Sequence, residues 1–340
     1  NTIGNNLSVT LFGESHGAAV GAIIDGLPAG VSVDEDFIAH QLLLRRPIGK
    51  ISTPRKEADK FNIVSGVFNS KTTGTPICVL IPNENIRSGD YSEKYGKARP
   101  GHADYTAFVK YNGCEDYRGG GHFSGRITAG LVAAGAIAVD LLKNKGIYIG
   151  THIEKCAGVS DKPFTDYKKD IEYLSTAQFP ALSEESREKM VCAIEKAAEE
   201  RDSVGGVLET AVIGVPAGVG EPWFDSVESV ISHALFSIPA IKGVEFGAGF
   251  SCADMLGSQM NDQFLMNNGA VTTKTNNNGG INGGITNGMP LVFRCAVKPT
   301  PSIGKEQSTV DFINGEEVSL SVSGRHDPCI VHRARVVVDS

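Results

Sequence analysis

Glycines, arginines and histidines alternate between Arg99 and Arg126. The stretch reads RPGHADY from Arg99 to Tyr105, then an apolar and aromatic spacer, then DYRGGGHFSGR from Asp116 to Arg126. Gly101, Gly119, Gly120 and Gly121 let backbone N–H groups approach a ligand closely, or take positive φ. Arg99, Arg118 and Arg126 offer planar forks that match carboxylate or phosphate. His102 and His122 can move protons near neutral pH. The run ITAGLVAAGAIAVDLL follows at once, apolar on all sides, and predicts a buried helix. A cationic glycine loop entering such a helix is physically an anion site. A surface turn with solvated arginines is the plainer reading of one RGGG.

Other polar groups stand at the ends of predicted elements. Leu7–Phe12 alternates like a strand and delivers GESHG, Gly13 to Gly17. Its glycine spacing is not that of a hydrolase nucleophile elbow. His16 as acid or base and His16 as a turn residue remain equal readings, with Ser15 beside it. Ser32 and Glu35 predict a capping box for a helix running to Arg46, stopped by Pro47. Arg45 and Arg46 then complement the helix dipole, or reach with Lys50 and Arg55 toward an anion. Arg87 lies in a polar loop as a ligand arm or a solvated residue. Lys298 to Ser302 reads KPTPS after a strand, and Arg325, His326 and Asp327 follow another. His233, on a helix over Val227–Phe236, reads as a structural histidine. Asn267 to Gly288 is an Asn/Gly/Thr-rich loop, functional or disordered.

The totals limit the function classes. The chain has 340 residues, 41% hydrophobic and 21% charged, with net charge −7, so bulk attraction to nucleic acid or anionic lipid is not expected. Seven cysteines lie scattered without a CxxC pair, which predicts reduced thiols and a cytoplasmic setting. No secretory signal is visible at NTIGNNLSVTLF. The longest apolar run, Ile127 to Val139, is shorter than the roughly 18 residues of a membrane span. Clustered His and Asp with arginines also suit a metal-dependent phosphohydrolase, but no ligand spacing supports a metal. Paired strands (Phe61–Phe68 with Ile77–Ile81, then Ile147–Glu154, Leu208–Val215 and Met289–Val297) alternate with helices. An amphipathic helix is predicted around Glu184 to Glu200. This pattern predicts an α+β fold with antiparallel sheets.

GESHG, RPGHADY, RGGGxxSxR, KPTPS and GRHDP occur in one order along nearly the whole chain, and together they resemble the chorismate synthase family. The resemblance implies one domain over residues 1–340, with a helical core sandwiched between two antiparallel sheets, assembled as a homotetramer. It implies conversion of 5-enolpyruvylshikimate 3-phosphate to chorismate and phosphate, a lyase reaction of the shikimate pathway. Reduced FMN is required without net redox change, and the absence of a reductase segment implies an external flavin reductant. A substrate with two carboxylates and a phosphate accounts for several arginines in an acidic protein.

Carried over position by position, His16, His102 and Asp327 are implied to be catalytic. His16 would be the acid near phosphate and flavin, His102 would protonate or hydrogen-bond the reduced flavin, and Asp327 would be the base working through the flavin N5. Substrate would be held by Ser15, Arg45, Lys50, Arg99, Arg126 and Arg325, with Lys50 where arginine is usual. Flavin contacts would come from His122, Phe123, Ser124, Ala240, Gly284, Lys298, Pro299, Thr300, Pro301, Ser302 and Arg325. His122 and Phe123 replace the Arg-Ser usual in the family, and Pro239 stands where asparagine is common. The arginine-rich segment after the first helix is one residue shorter than usual. Asp339 takes the place of a glutamate, and the helical tail usual in the family is expected to be missing after it.

Overall fold

The computed structural model describes residues 1–53, 58–84, 95–322 and 327–340. Arg55, Arg87, Arg325 and His326 lie outside the described residues. The first half builds one antiparallel sheet from β1 (Thr2–Ile3), β2 (Ser8–Gly13), β3 (Ala19–Asp25), β4 (Asn62–Ser65) and, after a small β5/β6 hairpin (Val67–Phe68 with Lys71–Thr72), β7 (Ile77–Pro82). Its strand order is β1-β2-β3-β7-β4. The second sheet uses β8 (Tyr148–Cys156), β9 (Val159–Ser160), β10 (Gly206–Ile213) and β11 (Ile241–Phe246). Hairpins β12/β13 (Phe264–Asn267, Ala270–Thr273) and β14/β15 (Ile281–Asn282, Ile285–Thr286) come before its last strand, β16 (Leu291–Val297). The order is β11-β16-β10-β8-β9, again antiparallel. A hairpin of β17 (Gln307–Asp311) and β18 (Glu316–Leu320) stands apart.

Helices α1 (Glu35–Leu44), α3 (Thr128–Lys143) and α8 (Val331–Asp339) fill the space between the sheets. The sandwich expected from the resemblance is present. Small residues decide how α3 seats. At Gly130 an added Cβ would lie 2.5 Å from the Gly21 carbonyl oxygen, so helix and strand backbones touch and any side chain there would force them apart. Val20, Ala22 and Val79 of the first sheet and Ile153 and Leu208 of the second are fully buried against this layer.

Three expectations need correction. Asp34, not Ser32, caps α1, its carboxylate accepting from Phe37 N at 2.9 Å, and the helix ends at Leu44 with Arg45 as its C-cap. Gly125–Lys143 is long and apolar enough to cross a membrane, contrary to the run-length argument, yet it lies between the two sheets as a core helix. The Asn/Gly-rich segment is ordered. Asp262 organises it, accepting from Thr275 Oγ1 and from the backbone N–H groups of Asn277 and Asn278 at 2.6–2.8 Å.

Away from the site, fully buried His152 on β8 lies 3.2 Å from Asp161 and 3.0 Å from Glu209. Burial disfavours its cation, but bonds to both carboxylates outweigh that and raise its pKa above 6.5. The stability this contributes is complete below pH 6.5 and is lost as pH rises through the raised folded value. The melting-temperature gap between wild type and His152→Gln is therefore expected to narrow from about pH 5 to about pH 9. A gap constant with pH would show that the histidine is held neutral.

Candidate active site

Where the two sheets meet the start of α3 and the inner face of α8, a cavity of about 1030 Å³ opens. Its apolar wall includes Leu11, Leu131, Ile238, Ala334 and Val337. The polar groups come from separate segments, each fixed by its own local structure.

His16 follows β2 in the turn after Gly13 and is 6% exposed. Ser15 Oγ lies 3.0 Å from His16 Nδ1 and 3.1 Å from the Arg118 carbonyl oxygen. The single hydroxyl proton goes to the carbonyl, which can only accept, so Nδ1 is the donor toward Ser15. Gly119 packs against this ring: a Cβ there would sit 2.2 Å from His16 Cε1. The glycine loop and the GESHG turn therefore form one unit, joined also by Ser15 N donating to the Gly121 carbonyl at 3.0 Å. Ser15 itself stands behind His16 rather than on the cavity wall.

The RPGHADY segment leads into α2 (Asp104–Tyr111), which the sequence reading treated as a spacer. Asp104 in its first turn receives Arg99 bidentately, Nε at 2.8 Å and Nη2 at 2.7 Å, and lies 2.7 Å from His102 Nδ1. Burial opposes ionisation of Asp104, but Arg99 and His102 hold its pKa well below the usual carboxylate range. Arg99 Nη1 also donates to Ser302 Oγ at 3.3 Å, and Lys298 Nζ to the Gly101 carbonyl at 2.8 Å, so KPTPS is tied to this turn. Burial and nearby Lys242 lower the Lys298 pKa.

Arg45 and Arg126 meet at the head of α3. Arg45 donates from Nε to Thr128 Oγ1 at 3.0 Å and from Nη2 to the Gly125 carbonyl at 2.7 Å. Arg126 donates from Nε to Asn83 Oδ1 at 2.9 Å. Both reach Asp59, Arg45 at 3.3 Å and Arg126 more closely, and the Asp59 side chain is only 2% exposed. A buried pair of guanidinium groups beside a helix N-terminus needs such a carboxylate. Asp327 closes the far side. Its carboxylate accepts from Thr53 N at 3.3 Å and pairs with Arg333 of α8, while Thr300 Oγ1 donates to its carbonyl at 2.6 Å. Burial raises the Asp327 pKa, against the pull of Arg333, the Thr53 N–H and Arg45.

His122, Phe123 and Ser124 line the cavity beside the glycine loop. His122 is tethered, with Nδ1 2.7 Å from the Gly13 carbonyl oxygen and Nε2 3.0 Å from Asn1 Oδ1. Ala240, Thr300, Pro301 and Ser302 line the opposite wall. Ala240 has φ 76°, unusual for alanine, at the turn into β11. Three sequence candidates stand elsewhere. Lys50 is exposed on the short turn Gly49–Ile51. The Gly284 carbonyl accepts from Val227 N at 3.0 Å at the start of α6 (Val227–Ser237). Pro299 faces Gly205 on the outer side. His233 is exposed at the cavity rim rather than a buried structural histidine.

Asp59, Asn83, Thr53, Asp104 and Arg333 escaped the sequence reading. Asp104 alone carried a signal, an acid two residues after a histidine and five after an arginine. Asp59 and Arg333 reach the site through tertiary contacts far apart in the chain. Among the described residues no three His, Cys, Asp or Glu side chains gather as a metal site.

The fold and cavity define a class: an α+β protein of two antiparallel sheets with arginines, histidines and a carboxylate gathered on one large cavity. The chorismate synthase family model matches residues 7–340. Chorismate synthase of Thermococcus kodakarensis is 48% identical over 99% of this chain and 94% of its own. The Dehalococcoides mccartyi enzyme is 48% identical over 100% and 93%. A crystal structure of chorismate synthase superposes with TM-score 0.74 at 30% identity, covering 98% of this chain and 88% of that one. The chain belongs to the chorismate synthase family. Its activity is that of a chorismate-forming lyase of the shikimate pathway, in a family that depends on flavin.

Proposed function

We propose that this cavity takes 5-enolpyruvylshikimate 3-phosphate together with reduced FMN and releases chorismate and phosphate by 1,4-elimination. The observation that carries this reading is the convergence of His16, His102, Asp327, Arg45, Arg99 and Arg126 on one cavity from five separate segments. The residues fit a flavin. The Gly119–Gly121 cradle has no room for side chains beside His16 and His102. Apolar walls flank it, and the Lys298–Ser302 turn offers hydroxyl and ammonium donors. When bound, reduced FMN supplies transient electron density to the substrate ring without net redox change.

The protein groups divide the remaining work. Arg45 and Arg126, at the positive end of α3, hold an anionic group and stabilise charge developing on departing phosphate. His16, with its Nδ1 proton directed to Ser15, presents the other edge of its ring as the acid near that phosphate. Asp327, whose carboxyl is raised by burial, is the base that takes up the ring proton. Arg99 grips a substrate carboxylate, and His102 protonates or hydrogen-bonds the cofactor through its Nε2 edge. Apolar surface around these groups excludes water, so their charges act in a low dielectric.

Assembly as a homotetramer is part of the same reading. Trp223, Phe224 and Phe250 are 84%, 91% and 83% exposed, large apolar side chains of the kind a partner copy would cover. The reading further places the enzyme in the cytoplasm, as one domain supplied with reduced flavin by an external reductant. Arg99→Ala tests the substrate grip. Losing a charged hydrogen-bond donor costs about 1.5–3 kcal/mol, so the KM for 5-enolpyruvylshikimate 3-phosphate should rise about ten- to a hundredfold. An unchanged KM would remove Arg99 from the binding site.

A further inference from the structure

We infer that Asp104 is a positioning residue: it fixes the His102 ring with Nδ1–H on its own carboxylate and Nε2 toward the cavity, and its bidentate pair with Arg99 ties that ring to the substrate grip. This rests on the role proposed for His102.

The sequence sets the geometry up. Asp104 opens α2, where an acid is stabilised by the helix N-terminus, and the turn before it folds Arg99 and His102 back onto one carboxylate. The Asp104 Oδ1 atom lies 2.7 Å from both His102 Nδ1 and Arg99 Nη2, while Oδ2 accepts from Arg99 Nε at 2.8 Å and Arg99 N at 3.0 Å. A carboxylate oxygen and a ring nitrogen at that separation need a proton between them. Arg99 keeps Asp104 ionised, so the proton resides on Nδ1.

The other side of the ring is also fixed. A Cβ at Gly120 would come within 3.1 Å of both His102 Cε1 and Nε2, so the Nε2 edge lies over the glycine loop that lines the cavity. With Nδ1 committed to Asp104, every proton His102 exchanges with the cavity passes at Nε2. The other charged groups at this end are Lys298, whose Nζ holds the Gly101 carbonyl, and Lys97, Glu115 and Asp116 along the wall. The Asp104 carboxylate is the group within 2.7 Å of Nδ1, which is buried with no other hydrogen-bond partner among the described residues.

Asp104→Asn keeps an acceptor for Arg99 and the same shape, and removes the charge that orders the ring. The test begins with ¹⁵N spectra of the histidine rings in flavin-free protein, assigned with His102→Ala. Wild type should show neutral His102 protonated at Nδ1, and Asp104→Asn should shift it toward the Nε2–H tautomer. Turnover with reduced FMN should fall by at least about tenfold, the scale of a lost proton-transfer group, with FMN affinity within about twofold of wild type. Wild-type tautomer or near-wild-type turnover in Asp104→Asn would overturn the inference. His102→Ala separates it from the reading beneath it. If His102→Ala is inactive while Asp104→Asn is normal, only the positioning role is lost. If His102→Ala turns over normally, both the His102 assignment and the positioning role are lost.

Discussion

Asp327→Asn should lower turnover by about 10²- to 10⁴-fold while leaving FMN affinity and the melting curve near wild type. The substitution keeps side-chain volume and an oxygen that can accept from Thr53 N or Arg333. What it removes is the carboxylate's ability to take up a proton. The protein spends structure on this carboxyl. It is partly buried, which raises its pKa toward that of a working base, yet Arg333 and the Thr53 N–H pull the other way and keep the ionised form available. An amide cannot be tuned in that manner. Parallel measurement of kcat, FMN affinity and thermal unfolding decides the matter. Turnover within about threefold of wild type would remove Asp327 as the base, and matching losses in all three would make it a structural strut.

Asp59→Ala should be the most destabilising single change in the site, by about 3–5 kcal/mol. Its carboxylate is shared by two guanidinium groups, of Arg45 and Arg126, in residues only 6% and 5% exposed. Removing it leaves like charges facing each other in a poorly solvated space beside the positive end of α3, where the helix dipole adds to the repulsion. Asp59→Asn should cost less, because an oxygen still accepts from one guanidinium. Urea unfolding of the three proteins checks the order. A loss below about 1 kcal/mol for Asp59→Ala would mean that Asp59 does not balance the pair.

The sequence was informative wherever chemistry is concentrated in short motifs. The glycine loop, GESHG, RPGHADY and KPTPS each announce their residues, and the structure brings His16, His102, Arg99, Arg126, Lys298 and Asp327 to one cavity. The helical layer was legible because Ile127 to Val139 is apolar on every face. Two kinds of information were hidden. Counter-charges such as Asp59 and Arg333 act through tertiary contact, and nothing in their local sequence separates them from solvated residues. Short competing caps were the other: Ser32 and Asp34 both satisfy the local rule for starting α1, and Asp34 carries the bond to Phe37 N. The Asn/Gly-rich segment read as loose because its order depends on Asp262, on the other side of a hairpin.

The most direct measurement is anaerobic. Protein, photoreduced FMN and 5-enolpyruvylshikimate 3-phosphate are mixed, and phosphate release is followed together with chorismate absorbance. The account predicts equal amounts of both products, formed only when the flavin is reduced and without net flavin oxidation. Flavin and substrate binding without either product, or phosphate release that proceeds equally well without flavin, would contradict it.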